Sequence, residues 1–411
     1  MKDTTSNRER EKMAWPSRRL LGLEEKAAAD ALFDQSIAAG EAFGYSGPSD
    51  EAFCSEFAEF MGGGYADAVN SGTSAVFVAL KALGIEPFTE VVVSPITDPG
   101  GFMPIVMLNC IPIVMDTAPG RFNVGPEQVE AAITPLTSAI LVTHILGEPA
   151  DMEGIMAVAR KHNLPVLEDC AQSHGARING KMVGTFGDIA AFSTMSGKHF
   201  CSGGQGGVVF TKNEALYHEA RRASDRGKPF FMPPGSTNCV ASLNLNSDDL
   251  ACEIGRVQLR KLPAIITGRR RAAAAIFAGL GQIRAISKPE EPANSEGSYW
   301  RMRFRFNPVA VSCDKQTFCN ALEDAGIPIQ ADYNCMPHTQ EWFVKRRVFG
   351  TSGYPWASAD YKGDRDRKFE CPNAVKAIAD HFIVFTHENM TDEDVRDFLE
   401  IISETESKYR K

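Results

Sequence analysis

Between residues 91 and 210 the chain returns repeatedly to one pattern: a run of about five largely apolar residues, too short for a helix. The runs are VVVSP (91–95), IPIVMD (111–116), AILVTH (139–144), PVLED (165–169), DIAAFS (188–193) and GGVVF (206–210). Helical patterns at 126–133 and 152–162 separate the later ones. Unbroken apolarity marks a strand buried on both faces, and strands alternating with helices fold as βα units around a mostly parallel sheet. Upstream, Leu23 to Ala39 reads as a helix ending at Gly40, Asp50 to Met61 as a second, and Val76, Ala79, Leu80 and Leu83 fall at helical spacing. Downstream, 213–224 and 248–280 are helical. The last third differs: WRMRFRFNP (300–308) alternates like a half-exposed strand, with amphipathic helices near 314–325 and 391–405. The expected organisation is a lead-in and helix (1–45), a large α/β domain (46–280) and a smaller α+β domain (281–411).

A chain of 411 residues, 44% apolar, has material for two cores. Its net charge of −9 offers no face for nucleic acid, and the Arg269-Arg270-Arg271 triplet reads as a solvated helix face. Met1 to Met13 is polar with no apolar segment behind it, and no run reaches the ~18 apolar residues of a membrane span. A soluble, cytoplasmic protein with no membrane or nucleic-acid partner is expected. The ten cysteines form no CxxC pair and no metal-ligand spacing with histidine, so buried reduced thiols and no metal are the expectation.

Ligands of open α/β sheets gather at the carboxyl ends of strands, so polar residues just beyond an apolar run are the candidates. NSGTSA (70–75) opens a helix, where small residues such as Gly72 let backbone amides and the Thr73 hydroxyl close on an anion; simple helix capping is the other reading. EDCAQSHGA (168–176) ends a buried strand in two acids, and Asp169 there needs a cation, whether a metal, an arginine or a protonated ring nitrogen. Unit charges ~4 Å apart at an effective dielectric of ~20 attract by ~4 kcal/mol, roughly three pH units of a partner's pKa. A structural ion pair or cap is the alternative. FSTMSGKHFCSGGQGGVVF (192–210) sets Lys198 among glycines; Phe192 and His199 stand where a nucleotide-binding Walker loop needs Gly and Ser or Thr, so that route fails. A desolvated lysine instead becomes a Schiff-base former, though most lysines are surface charges.

The order of these three points resembles the fold-type I pyridoxal 5′-phosphate (PLP) enzymes, specifically the DegT/StrS family of sugar aminotransferases. The resemblance runs from about residue 50 to beyond 280, in SGTSA (71–75), the long stretch 111–152, PVLEDCAQSHGARINGKMVGTFGDIAAFS (165–193) and LACEIGRVQLRKL (250–262), and continues more faintly to the C-terminus. It implies that Lys198 holds PLP as a Schiff base and that Asp169 salts to the pyridinium nitrogen. Gln172 would lie by the phenolic edge, with Thr73, Ser74 and Ser193 on the phosphate. Asn244 matches an asparagine that the family sends across a dimer interface, so the resemblance implies a homodimer with composite sites. His338 matches a histidine near the substrate, a structural histidine being the equal alternative. The implied reaction moves an amino group from glutamate or glutamine to a keto sugar, a nucleotide-linked keto sugar or a keto cyclitol.

Three positions depart from the family. Asp98 stands where an aromatic stacks on the ring, and could instead meet a substrate amine or hydroxyl; Gln205 replaces a glutamate and Asn246 an arginine. Two rival functions stay open: a PLP-dependent sugar dehydratase of the same fold, against which Lys198 speaks, and a non-catalytic sensor of PLP or an amino sugar.

Overall fold

The computed structural model describes residues 12–411, so the polar segment before residue 12 lies outside the described residues. Seven strands form the central sheet: β1 (Tyr65–Val69), β2 (Glu90–Val93), β3 (Ile111–Val114), β4 (Thr137–Thr143), β5 (Val166–Asp169), β6 (Ile189–Ser193) and β7 (Gly207–Thr211). Their order is β1-β7-β6-β5-β4-β2-β3. From β3 to β6 every pairing is parallel, and β7 runs antiparallel to both β6 and β1. Val92, Ile140 and Leu167 are fully buried, as unbroken apolar runs require.

Helices α1 (Leu23–Ala39), α2 (Pro48–Phe60), α3 (Gly72–Ala82), α4 (Pro126–Ala132), α5 (Met152–His162), α6 (Glu214–Ser224) and α7 (Asp249–Gly279) accompany this sheet. Local chemistry sets their limits. Asp151 accepts from the Gly154 amide at the start of α5, and Asn163 takes a left-handed conformation at its end. Thr97 and Asp98 follow β2, Asp169 ends β5, and Ser193 ends β6 ahead of Lys198, so all are delivered to the carboxyl edge of the parallel strands.

A second sheet, β8 (Ile286–Ser287), β9 (Met302–Phe306), β10 (Ile329–Gln330) and β11 (His381–Val384), is antiparallel in the order β8-β9-β11-β10. Phe304 packs there against Phe382 and Phe398, backed by α8 (Lys315–Asp324) and α9 (Asp392–Tyr409). Two sequence expectations fail in this half of the molecule. The strand read as half-exposed buries four of its five residues, including Arg303, whose guanidinium meets Glu148 at 2.8 and 3.2 Å. The arginine triplet is not a solvated face either. Arg269 is 3% exposed, donates to the carbonyls of Tyr299, Trp300 and Thr386, and pairs with Glu388 at 2.9 Å. Arg270 bonds the carbonyls of Gly175 and Gly297 and pairs with Glu296 at 3.0 Å, and the exposed Arg271 reaches Asp392. In both cases a buried acid and convergent carbonyls repay the desolvation of the guanidinium. All ten cysteines are free thiols, seven of them buried.

Candidate active site

Lys198 sits in the turn that follows β6, with only 8% of its surface exposed. Its Nζ lies 4.2 Å from the centroid of the Trp300 ring, whose Nε1 donates to the Gly197 carbonyl at 2.7 Å. Among the described residues it forms no ion pair. Burial pulls the Lys198 pKa down to about 8, against the upward pull of Asp169 and Asp98 and with a further downward push from Arg301. An amine held there is neutral about a tenth of the time at pH 7, against less than about a thousandth for an unshifted lysine, which favours work as a nucleophile or proton acceptor.

Neighbouring residues of a strand face opposite ways, so Glu168 and Asp169 take different tasks. Glu168 is fully buried and accepts from the amides of Gly184, Phe186 and Gly187 at 2.7, 2.8 and 2.7 Å, with His144 Nε2 at 3.1 Å. His144 Nδ1 in turn accepts from the Ala150 amide. His144, Glu168 and Cys170 bring ligand atoms within 4.8 Å of one another. Their oxygens and nitrogens are committed to these bonds, and burial holds the Cys170 thiol protonated, so the cluster is a structural network. Asp169 is 4% exposed and differs sharply: Oδ1 accepts one amide, from Ala171, and among the described residues no cation pairs with it. Burial raises its pKa. The approach to Oδ2 is kept open by Gly101, where a Cβ would stand 2.8 Å from that oxygen.

The other end of the site is the start of α3. Ser71 caps it, its Oγ accepting from the Ser74 amide at 3.1 Å, and the Ser74 hydroxyl donates to Asn70 at 2.6 Å. The Ser74 amide expected for an anion is thus already bonded within its own turn. The first-turn amides of Gly72 and Thr73 have no carbonyl to bond within the helix, and the exposed Thr73 carries its hydroxyl beside them. A Cβ on Gly72 would lie 2.7 Å from Ser193 Cβ, which presses the end of β6 against the helix start. The 97–101 segment spans the two ends, touching Thr73 through Gly100 and Asp169 through Gly101.

Gln172 is 4% exposed; Oε1 accepts from the Leu146 amide at 2.9 Å and Nε2 faces the Tyr333 hydroxyl at 3.4 Å. Tyr333, Trp300 and Arg301 were not singled out by the sequence. The Arg301 guanidinium lies 4.2 Å from the Trp300 ring centroid and 3.7 Å from that of Phe385, and donates to Gln330 at 3.2 Å. It has no acidic partner among the described residues, and burial lowers its pKa to about 10. Its charge is felt at both Lys198 and Tyr333. The two remaining candidates lie apart. Asn244 is exposed, bonded to Asn246 and bridged to Asp225. His338 is buried edge-on to Phe369, on a cleft of about 830 Å³ that also has Arg346, Trp356 and Arg367 on its wall and does not include Lys198. Burial lowers the His338 pKa to about 4, which keeps the ring neutral.

The residues present suit PLP: a buried amine and a buried carboxyl, neither with a counter-ion among the described residues, lie with a capped helix start offering free amides. The profile of the DegT/DnrJ/EryC1/StrS aminotransferase family matches residues 26–403. A UDP-N-acetyl-3-dehydro-α-D-glucosamine 3-aminotransferase of Acidithiobacillus ferrooxidans is 34% identical over 72% of this chain and 78% of its own length. An L-glutamine:2-deoxy-scyllo-inosose aminotransferase of Micromonospora echinospora is 30% identical over 71% of this chain and 72% of its own. Among solved structures, an aminotransferase of Psychrobacter cryohalolentis superposes with a TM-score of 0.82 at 26% identity, covering 97% of this chain and 99% of the other. NtdA of Bacillus subtilis, with bound cofactor PMP, shares the fold at a TM-score of 0.80 and 24% identity, over 98% and 86% of the two chains.

Proposed function

The chain belongs to the DegT/DnrJ/EryC1/StrS aminotransferase family, and from that premise we propose that Lys198, Asp169 and Arg301 divide the work of moving an amino group from glutamate or glutamine to the ketone acceptor. The fold-type I architecture, the use of PLP and the keto sugars and cyclitols as substrate class come with the family. The observation that carries the assignment of residues is a buried amine and a buried carboxyl, Lys198 and Asp169, neither of which forms an ion pair among the described residues.

Bound in this site, PLP supplies an aldehyde for the incoming amine and a cationic ring that draws electrons from the carbon losing its proton. Asp169 has one oxygen on the Ala171 amide and the other free toward Gly101, so it can hold a ring nitrogen protonated. Gly72, Thr73 and Ser193 receive the phosphate at the positive end of α3. Gln172, held by Leu146 and facing Tyr333, offers hydrogen bonds along one edge. Lys198 Nζ takes the proton from the donor's α-carbon and returns one when the ketone is converted to an amine. Arg301, a guanidinium with no acidic partner among the described residues, receives the donor's carboxylate.

Asn244 is exposed in its own chain, which suits a residue that completes the site of a second copy, and the working unit is then a homodimer. No helix among the described residues is long and apolar enough to cross a membrane, and we place the enzyme in the cytoplasm. Borohydride reduction of the yellow holoenzyme and peptide mapping should find the pyridoxyl label on Lys198. Lys198→Arg should fold, bind the cofactor unlabelled and fail to turn over. A label elsewhere, or normal turnover in that variant, refutes the assignment.

A further inference from the structure

In the proposed reaction Lys198 takes a proton from the donor's α-carbon, and its amine is an ammonium until that proton is passed on. Only 8% of the residue is exposed, so the charge must be held inside the protein without being trapped there. The charged and titratable groups that face it are Asp169, Asp98, Arg301 and His174. Asp169 is assigned to the cofactor's ring nitrogen. Asp98 is exposed, and its Oδ1 accepts from the Gly100 amide at 2.9 Å. Arg301 repels a second cation, and burial lowers the His174 pKa to about 3, which keeps that ring neutral. Among the described residues none of them forms an ion pair with Nζ.

What Nζ does meet is a ring. It lies over the Trp300 indole, 4.2 Å from the centroid. Trp300 stands two residues before β9 and packs half-buried against the core of the central sheet. Its Nε1 donates to the Gly197 carbonyl at 2.7 Å, which ties the ring to the turn that carries the lysine. An indole face attracts an ammonium and is nearly indifferent to a neutral amine, so it raises a desolvated lysine's pKa by about one pH unit. A carboxylate ~4 Å away would raise it by roughly three and hold the lysine protonated at neutral pH. The indole also has no hydrogen-bond acceptor, so an ammonium leaves its face without breaking such a bond.

Resting on the role of Lys198 given above, we propose that Trp300 is a positioning residue for the reaction, whose ring face receives the protonated amine of Lys198 and holds it until the proton is passed on. The proton moves from the donor's α-carbon to Nζ and later leaves Nζ, while Trp300 gains and loses none. The segment leading into the second sheet thereby supplies the resting place for a group that the central sheet carries.

Three altered full-length chains test this: Trp300→Phe, Trp300→Leu, and a chain with tetrafluorotryptophan in place of Trp300. Phenylalanine keeps a ring face without the Nε1–H, leucine lacks both, and the fluorinated indole keeps shape and N–H while its face attracts a cation far less. Competitive acetylation of Lys198 as a function of pH in the cofactor-free chain, read by peptide mapping, measures the pKa of the amine directly. It should fall by about one pH unit from wild type in the leucine and fluorinated chains, and by half of that or less with phenylalanine. A fluorinated chain that matches the wild type overturns the proposal. So does a phenylalanine chain as low as the leucine one, since only the bond to Gly197 would then matter. Bleaching of the holoenzyme's visible band by glutamine, followed alongside, separates the two levels. If it is absent from the wild type, the aminotransferase reading on which the role rests fails; if it is present while the amine's pKa is unmoved, only the role of Trp300 does.

Discussion

Replacing Lys198 by methionine in the cofactor-free protein should stabilise it at neutral pH, and the gain should fade in alkali. In the folded chain burial holds the lysine's pKa at about 8, against 10.5 for the free side chain. Between these values the unfolded chain binds the proton and the folded one does not, so stability rises with pH through that window. Below it the buried ammonium costs the full difference, about 3 kcal/mol at ~1.4 kcal/mol per pH unit. By pH 10 the unfolded lysine has itself lost part of its proton, and the same linkage leaves a cost of about 1 kcal/mol. The methionine variant therefore gains about 2 kcal/mol more over wild type at pH 7 than at pH 10, on top of any constant term from the new apolar contact. Urea unfolding of both proteins at the two pH values, with equal m-values as a check, measures this double difference. A gain that is the same at both pH values, or larger at pH 10, would refute the claim that Lys198 is desolvated rather than simply enclosed.

Arg301→Gln should raise the KM for the amino donor by about tenfold to a hundredfold, the cost of a lost charge-assisted bond, and affect the acceptor's KM much less; steady-state kinetics with each substrate varied in turn decides. Mixing inactive Lys198→Arg with Asn244→Ala under conditions of subunit exchange should restore activity, because each hybrid dimer holds one site with both residues intact; no recovery from a verified hybrid contradicts composite sites. Glu148→Ala should cost about 3–5 kcal/mol in chemical denaturation by stranding buried Arg303, while Glu148→Ala with Arg303→Met recovers much of it.

The central sheet was readable from sequence because strands buried on both faces cannot disguise themselves, and the acids and the lysine that follow them are displayed at strand ends. The cap on α3 was readable too, though sequence could not tell that Ser71 would claim the Ser74 amide before any anion could. What stayed hidden was every charge whose partner lies far along the chain. Arg303 meets Glu148 from 155 residues away, and Arg269 depends on carbonyls 30, 31 and 117 residues on. Arg301 and Tyr333 are hidden for the same reason, since neither has a local motif and both reach the site from the second sheet's side. The signal that could have found them was the density of arginine in WRMRFRF, where a strand with three cations and no acid demands partners from elsewhere.

Those distant contacts explain how the turn carrying Lys198 is held without the amine itself being tied. Arg18, ahead of α1, donates to the His199 carbonyl at 2.6 Å and pairs with Glu388 at 2.9 Å, and Glu388 also holds Arg269 of α7. His387 meets the Pro16 carbonyl, and His199 reaches the Ser298 carbonyl at 3.1 Å, two residues before Trp300. The N-terminal strap, α7 and the segment after β11 thus converge on the residue that follows the lysine. Trp300 braces the residue that precedes it, through the Gly197 carbonyl. All these bonds fall on backbone or on neighbours, which fixes the position of the Lys198 Cα while Nζ, over the Trp300 ring, makes no hydrogen bond among the described residues. A residue that must both hold a cofactor and leave it to carry a proton needs that division: a rigid base, supported from both ends of the chain, under an amine with no partner of its own.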